Sequence, residues 1–186
     1  NLETYGLMML CQTEAGLQEE ARIAVIAGEV GVKAEICVAN RVRELDPNVQ
    51  MEVVGGVWFS QDCHLDPGGF MEQLRTGIRS SGGTFLDDEC TNFIKKDRCI
   101  AGIKTAEGGR LNAEHVIIAG GTWTPELTKQ LGLSIPIQGG KGYSITLREP
   151  AELPQLCYLL KEARIAVTPM DGQLRVGGTM EICGTD

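Results

Sequence analysis

The sequence predicts a mixed α/β fold, and three observations lead there. Segments 13–31 and 66–83 each carry a helix-start residue, an apolar face at helical spacing and a glycine stop. Short apolar or alternating runs recur between turn residues, as strands do. The middle of the chain, strand-rich and broken by charged turns, differs in style from both ends, which puts seams near residues 55 and 140.

In chain order, TYGLMMLCQ opens as a strand. Thr13 then caps an alanine-rich helix carrying Leu17, Ala21, Ile23, Ala24, Ile26 and Ala27, expected to be largely buried and closed by Gly31. KAEICVANRVRELDPNV reads as a short strand and a short helix, ended at Asp46-Pro47 because a residue before proline is driven out of the helical region. VVGGVWFSQDCH follows as strand and turn. Asp66-Pro67 starts a second helix whose apolar face is Phe70, Met71, Leu74 and Ile78, stopped at Ser81-Gly82-Gly83.

TFLDDECTNF, CIAGIKT and HVIIAG are expected as strands, the last a buried one of parallel type. Gly120 and Gly121 end that run. Thr124 is a good N-cap, Pro125 suits the first helical position, Glu126 favours the positive helix end and Gly132 stops the helix. Ligands of open α/β sheets lie at such strand ends, where glycine lets the backbone approach a cofactor; a tight turn that needs glycine explains the same residues and is the commoner case. SIPIQGGKGYSITL, ARIAVTP and GQLRVGGTME supply three further strands, the last two paired antiparallel through MDG. Alternation puts Arg164, Ala166 and Thr168 on one face, Ile165 and Val167 on the other, and Arg175 outward.

A chain of 186 residues can build one sizeable core or two small ones. Its formal charge of −8 excludes a phosphate-tracking nucleic-acid binder, which needs a concentrated basic surface. No apolar stretch is long enough to span a bilayer and no signal-peptide pattern opens the chain, so a cytoplasmic protein, at most peripheral to a membrane, is expected. Seven cysteines without a C-x-x-C pair fit a reducing compartment and ordinary buried or half-buried thiols. Cys63-His64 is the one Cys-His neighbour pair, and a metal would need two further ligands, so no metal is expected.

GGVWFSQDCHLDPGGFMEQLRTGIRSSGGTF, HVIIAGGTWTPEL, IPIQGGKGYSITL and RIAVTPMDGQLRVGGTMEICG, in that order, resemble the D-amino acid dehydrogenases of the FAD-dependent D-amino acid oxidase superfamily over nearly the whole chain. KGYS and RVGGTMEI point to the dehydrogenase branch more than to glycine and sarcosine oxidases. The family's opening G-x-G-x-x-G turn has no match here, nor does its C-terminal part, so the resemblance implies an internal fragment of a longer enzyme. It implies a substrate-binding domain of the D-amino acid oxidase type in residues 1–55 and 140–186, and part of an FAD-binding Rossmann-like domain in 56–139.

Such a parent oxidises a D-amino acid to a 2-oxo acid and ammonia by hydride transfer to flavin N5, passing electrons to a quinone or another acceptor. The resemblance implies FAD contacts at Ala119, Gly120, Gly121 and Trp123, with Cys90 placing a main-chain group against the adenine. It makes Lys141, Tyr143 and Arg164 the substrate-side candidates, although an exposed turn lysine and a core tryptophan are ordinary outcomes. Related oxidases carry a carboxylate-binding tyrosine where this chain has Ala166. His64 is as readily a turn residue as a cofactor neighbour and stays outside the catalytic set. Two alternatives remain open: an oxygen-using glycine or sarcosine oxidase, and a non-catalytic binding module. The isolated fragment is expected to be inactive, and a bare sheet edge beside HVIIAGG would favour a homodimer.

Overall fold

The computed structural model describes residues 2–184. Strand β1 (Leu2–Glu3) precedes β2 (Leu7–Cys11) and helix α1 (Glu14–Glu29). The Thr13 hydroxyl accepts the Gly16 N–H at 3.0 Å, the expected cap, and the chain leaves the helix through Val30 and a left-handed Gly31. Next come β3 (Ala34–Val38), α2 (Ala39–Leu45), β4 (Gly55–Phe59) and β5 (His64–Leu65), which pairs with β1. Helix α3 (Pro67–Ser80) starts on Asp66, whose carboxylate accepts the N–H groups of Gly68 and Gly69.

The chain divides into two units. The first holds Asn1–Gly77 and Gly142–Met180, the second Ile78–Lys141 with the segment from Glu181 onward. In the second, β6 (Cys90–Lys96), β7 (Cys99–Thr105) and β8 (Arg110–Asn112) form an antiparallel three-stranded sheet, followed by α4 (Thr124–Lys129). The remaining strands are β9 (Gly140–Leu147), β10 (Cys157–Leu160), β11 (Ile165–Met170) and β12 (Gln173–Ile182).

A seven-stranded mixed sheet in the order β3-β4-β2-β10-β11-β12-β9 organises the first unit. β10 runs parallel to β2 and antiparallel to β11, so it joins the two chain segments of this unit. β4, which follows the seam expected near residue 55, lies within this sheet. One sheet face carries Met8, Leu10 and Tyr158 against Val42 of α2, with Trp58, Leu160 and Val167 around them. On the opposite face α1 packs over β2 to β4: a Cβ on Gly55 would meet Leu17 Cδ2 at 3.0 Å. Buried Glu20 of α1 is ion-paired with Lys161.

Three expectations are corrected. Helix α1 is not largely buried, because only Gly16, Glu20 and Ala24 are, while Ile23, Val25 and Ile26 are exposed. The HVIIAG run belongs to no ladder among the described residues, and Ile117 is 90% exposed, so the buried parallel strand is not formed here. Thr124 is the first residue of α4, already helical, rather than its cap, because a 3₁₀ turn over Gly121–Trp123 runs straight into the helix. Gly132, left-handed, ends that helix as expected. No helix among the described residues is long and apolar enough to cross a membrane.

Candidate functional site

In the second unit the backbone itself is the notable feature. Gly121 takes φ +55°, a conformation that side chains with a Cβ resist, and a Cβ there would meet no heavy atom within 4 Å. A Cβ on Gly120 would come no nearer than 3.5 Å, to the backbone nitrogen and hydroxyl of Thr124. Ala119 is exposed, Gly120 half-buried, and Trp123 stands 58% exposed beside the turn. The result is an open stretch of main chain flanked by an aromatic ring, on which a flat ligand can lie at van der Waals distance. These residues fit a flavin cofactor, since glycine leaves the approach free and tryptophan offers a stacking edge. Cys90, half-buried, opens β6 opposite Thr105.

In the first unit the geometry follows from one hairpin. Asp171 and Gly172, both with positive φ, form the two-residue turn, so Met170 pairs with Gln173, Thr168 with Arg175 and Ala166 with Gly177. These facing pairs share one side of the sheet. Ser144 of β9 lies on that side too, because a Cβ on Gly177 would meet Ser144 Cβ at 3.3 Å. Arg175 Nη2 and Nε donate to Ser144 Oγ at 3.0 and 3.3 Å. Together with Tyr143 these residues line a hollow of about 310 Å³. Thr168 is engaged by the Cys157 thiol, whose burial pushes it up to about 11.

The expected substrate-side residues are only partly brought together. Tyr143, 52% exposed, borders this hollow and a second one with Ile145, Arg164, Ile165 and Val176. Arg164 does not continue the face of Ala166 and Thr168: it sits at φ +56° in the β10–β11 turn, where strand alternation does not apply. Lys141, exposed near the start of β9, lines neither hollow. Arg175, expected only to point outward, is set opposite Thr168 by the register that the Asp171-Gly172 turn fixes, and Ser144 lies outside the expected set.

His64 is nearly buried. Its Nε2 lies 3.3 Å from a Glu3 carboxylate oxygen but without hydrogen-bond alignment, so both ring nitrogens lack a hydrogen-bond partner among the described residues. All seven cysteines are free, and no cluster of three potential metal ligands occurs among the described residues.

Residues 2–186 match the family model described as FAD dependent oxidoreductase. A D-amino acid dehydrogenase of Helicobacter pylori is 29% identical over 95% of this chain and 42% of its own length, and one of Vibrio cholerae serotype O1 is 28% identical over 97% and 44%. The chain thus spans less than half the length of these relatives. Among solved structures, glycine oxidase from Geobacillus kaustophilus superposes with a TM-score of 0.87 at 22% identity, over all of this chain and half of that one. The mixed α/β architecture, the glycine turn and the match along the chain lead to one conclusion: this chain belongs to the FAD-dependent oxidoreductase family.

Proposed function

We propose that this chain is part of an FAD-dependent D-amino acid dehydrogenase, which converts D-amino acids to 2-oxo acids and ammonia and hands the electrons to a quinone or similar acceptor. The observation that carries the proposal is the similarity to D-amino acid dehydrogenases along 95% of the chain. Residues 1–55 and 140–186 belong to the substrate domain in this proposal, and 56–139 to part of the cofactor domain.

The main chain of Ala119, Gly120 and Gly121 and the ring of Trp123 hold the cofactor, with the backbone of Cys90 as a further contact. Bound FAD supplies a two-electron acceptor, chemistry that no side chain of this protein offers. Lys141 and Arg164, both exposed, draw the anionic end of the substrate toward the strands. Tyr143 lines the hollow, and in this reading it helps to hold the zwitterion in one orientation. No general base is assigned, because the protein's task here is to bind, orient and exclude water.

Two measurements test this. Visible absorbance of the purified chain, with and without added FAD, reports whether residues 1–186 suffice for the cofactor. The full-length protein is then assayed for reduction of a dye and for oxygen uptake with D- and L-amino acids and with glycine. Dye reduction by D-amino acids without oxygen uptake is expected. Oxygen uptake with glycine or sarcosine would replace the dehydrogenase by an oxidase, and no flavin reduction by any amine would remove the proposal.

A further inference from the structure

We propose that two copies of this protein pair edge to edge through β3, antiparallel about a two-fold axis at Ala34. The inference does not depend on the substrate proposed above.

Strand β3 ends the seven-stranded sheet, with β4 on one side and no strand on the other among the described residues. Its sequence alternates. In VGVKAEICV, residues 30–38, the apolar Val30, Val32, Ala34, Ile36 and Val38 take every second position, and Lys33 and Glu35 stand between them. Ile36 and Val38 lie opposite Val57 and Gly55, on the sheet face where Leu17 of α1 packs, yet they are 52% and 65% exposed. Val30 and Val32 are exposed as well. An apolar edge without a neighbour is one that another chain can extend.

The main chain shows which groups are left for that chain. The Lys33 N–H turns inward to Gln61 Oε1 at 2.8 Å, just beyond β4, and the Cys37 carbonyl oxygen lies against Gly55 of β4. Main-chain groups of successive residues point to opposite sides of an antiparallel strand. Those of Ala34 and Ile36 therefore point away from β4, to the open side. The Val32 N–H is held by the Ala27 carbonyl at 2.9 Å, while the Val32 carbonyl accepts no main-chain hydrogen bond among the described residues.

The segment is complementary to itself about Ala34. Turned end for end, it sets Lys33 opposite the partner's Glu35, Val32 opposite the partner's Ile36 and Ala34 opposite its own copy. The two Ala34 residues exchange N–H to carbonyl bonds, and each Ile36 N–H reaches the partner's Val32 carbonyl. Lys33 and Glu35 then form a pair without ladder bonds, the kind whose side chains lie closest. Arg41 holds Glu35 through Oε1 at 2.9 Å, so Oε2 can take the partner's ammonium. Moving the axis one residue either way sets Lys33 on the partner's Lys33 or Glu35 on the partner's Glu35, so charge fixes the register. Strand β9, at the other end of the sheet, carries Lys141 but no acidic residue and lacks this match.

The same patch serves both copies, so the contact closes at two and does not grow into a fibre. Pairing over residues 32–36 is small against the roughly 1,200 Å² of a standard interface, which makes the dimer weak and concentration-dependent.

Sedimentation velocity of the full-length, flavin-loaded protein over a wide concentration range tests this. The parent is expected to move from monomer to dimer as concentration rises. Ala34→Pro removes the N–H at the axis, at an outward position of an edge strand where proline is tolerated, and should abolish the dimer. Lys33→Glu sets like charges opposite each other and should weaken it about tenfold, whereas Lys33→Glu combined with Glu35→Lys restores opposite charges and should recover it. A parent that stays monomeric at every concentration overturns the proposal. So does a dimer unchanged in Ala34→Pro and Lys33→Glu with the parent's flavin spectrum and melting temperature, because the copies then meet elsewhere. Loss in Lys33→Glu without recovery in the double variant overturns the register about Ala34.

Discussion

The Tyr158 hydroxyl donates to Asp46 Oδ2 at 2.6 Å, inside a core from which the Asp46 side chain is wholly excluded from solvent. The same oxygen accepts the backbone N–H groups of Gln155 and Leu156 at 2.8 and 3.1 Å, and Oδ1 accepts that of Asn48 at 3.3 Å. One carboxylate thus ties the end of α2 to the start of β10, far apart in sequence. Asp46→Ala strands these donors and should cost more than Tyr158→Phe, which leaves one lone pair unmet at about 1–3 kcal/mol. The double variant should cost less than the sum, because both changes break one network. Urea unfolding midpoints at equal slope check this order.

The tyrosine also sets an alkaline limit. Burial first, and then the Asp46 carboxylate, hold the Tyr158 hydroxyl far above the usual tyrosine range. In the unfolded chain it ionises near its ordinary value of about 10. A raised folded pKa contributes stability that is full below pH about 10 and falls as pH rises through it. Unfolding free energy is expected to drop above pH 10 in the parent, with a smaller drop in Tyr158→Phe.

At acid pH Glu162 is one of the sensitive groups. It accepts the N–H groups of Gln12 and Thr13 and the Thr13 hydroxyl at 2.9–3.1 Å, just where α1 begins. Burial pushes its carboxyl up, but the Gln12 N–H and the Thr13 hydroxyl, with further backbone donors, outweigh this and hold it below the ordinary glutamate range. The sign is therefore opposite to that of Tyr158: the contribution is present above the unfolded value of about 4.3 and disappears as pH falls through the folded one. Thermal melts of the parent and Glu162→Gln should differ at pH 7 and converge in acid.

Thiol reactivity should divide the cysteines. Burial is the main cause that pushes Cys11, Cys37 and Cys157 up to about 11, whereas Cys63 and Cys99 are exposed. Alkylation at pH 8 followed by peptide mass analysis should label Cys63 and Cys99 quickly and leave the buried three untouched until the chain is unfolded.

The glycine pair separates backbone strain from cofactor approach. Gly121→Ala should destabilise the chain by roughly 1–2 kcal/mol through its positive φ, while Gly120→Ala, at φ −81° and with ordinary contacts, should be nearly neutral. If the cofactor lies on this turn, both variants lose FAD affinity in an absorbance titration of the full-length protein. An effect confined to Gly121→Ala would tie the pair to folding alone.

Local chemistry was legible in the sequence, and partnership was not. The Thr13 cap, the Asp66-Pro67 start of α3 and the Asp171-Gly172 hairpin depend on neighbours a few residues away, and each forms as expected. Apolar periodicity that includes Ile23 and Ile26, or Phe70, Met71, Leu74 and Ile78, says that a face exists but not what covers it, and these residues are exposed. HVIIAG has the composition of a buried strand, yet a strand is defined by its ladder, which no local signal supplies. CYLL, too short to stand out between two loops, became β10, the strand next to β2. At the site, the residue types around the glycine turn were visible, while the pairing of Arg175 with Thr168 needed the hairpin register.

The position of β10 has a consequence for the order of synthesis. Residues 1–77 emerge from a ribosome with β2, β3 and β4 complete, yet the free side of β2 is filled only when Cys157–Leu160 arrives, after Ile78–Lys141 of the second unit has been made. Until then a hydrophobic edge of Leu7 to Cys11 stands open, and the intervening unit must fold, or wait, while the first remains unfinished. This chain therefore acquires its largest sheet late, and changes that delay β10 should be felt first as aggregation of the nascent chain.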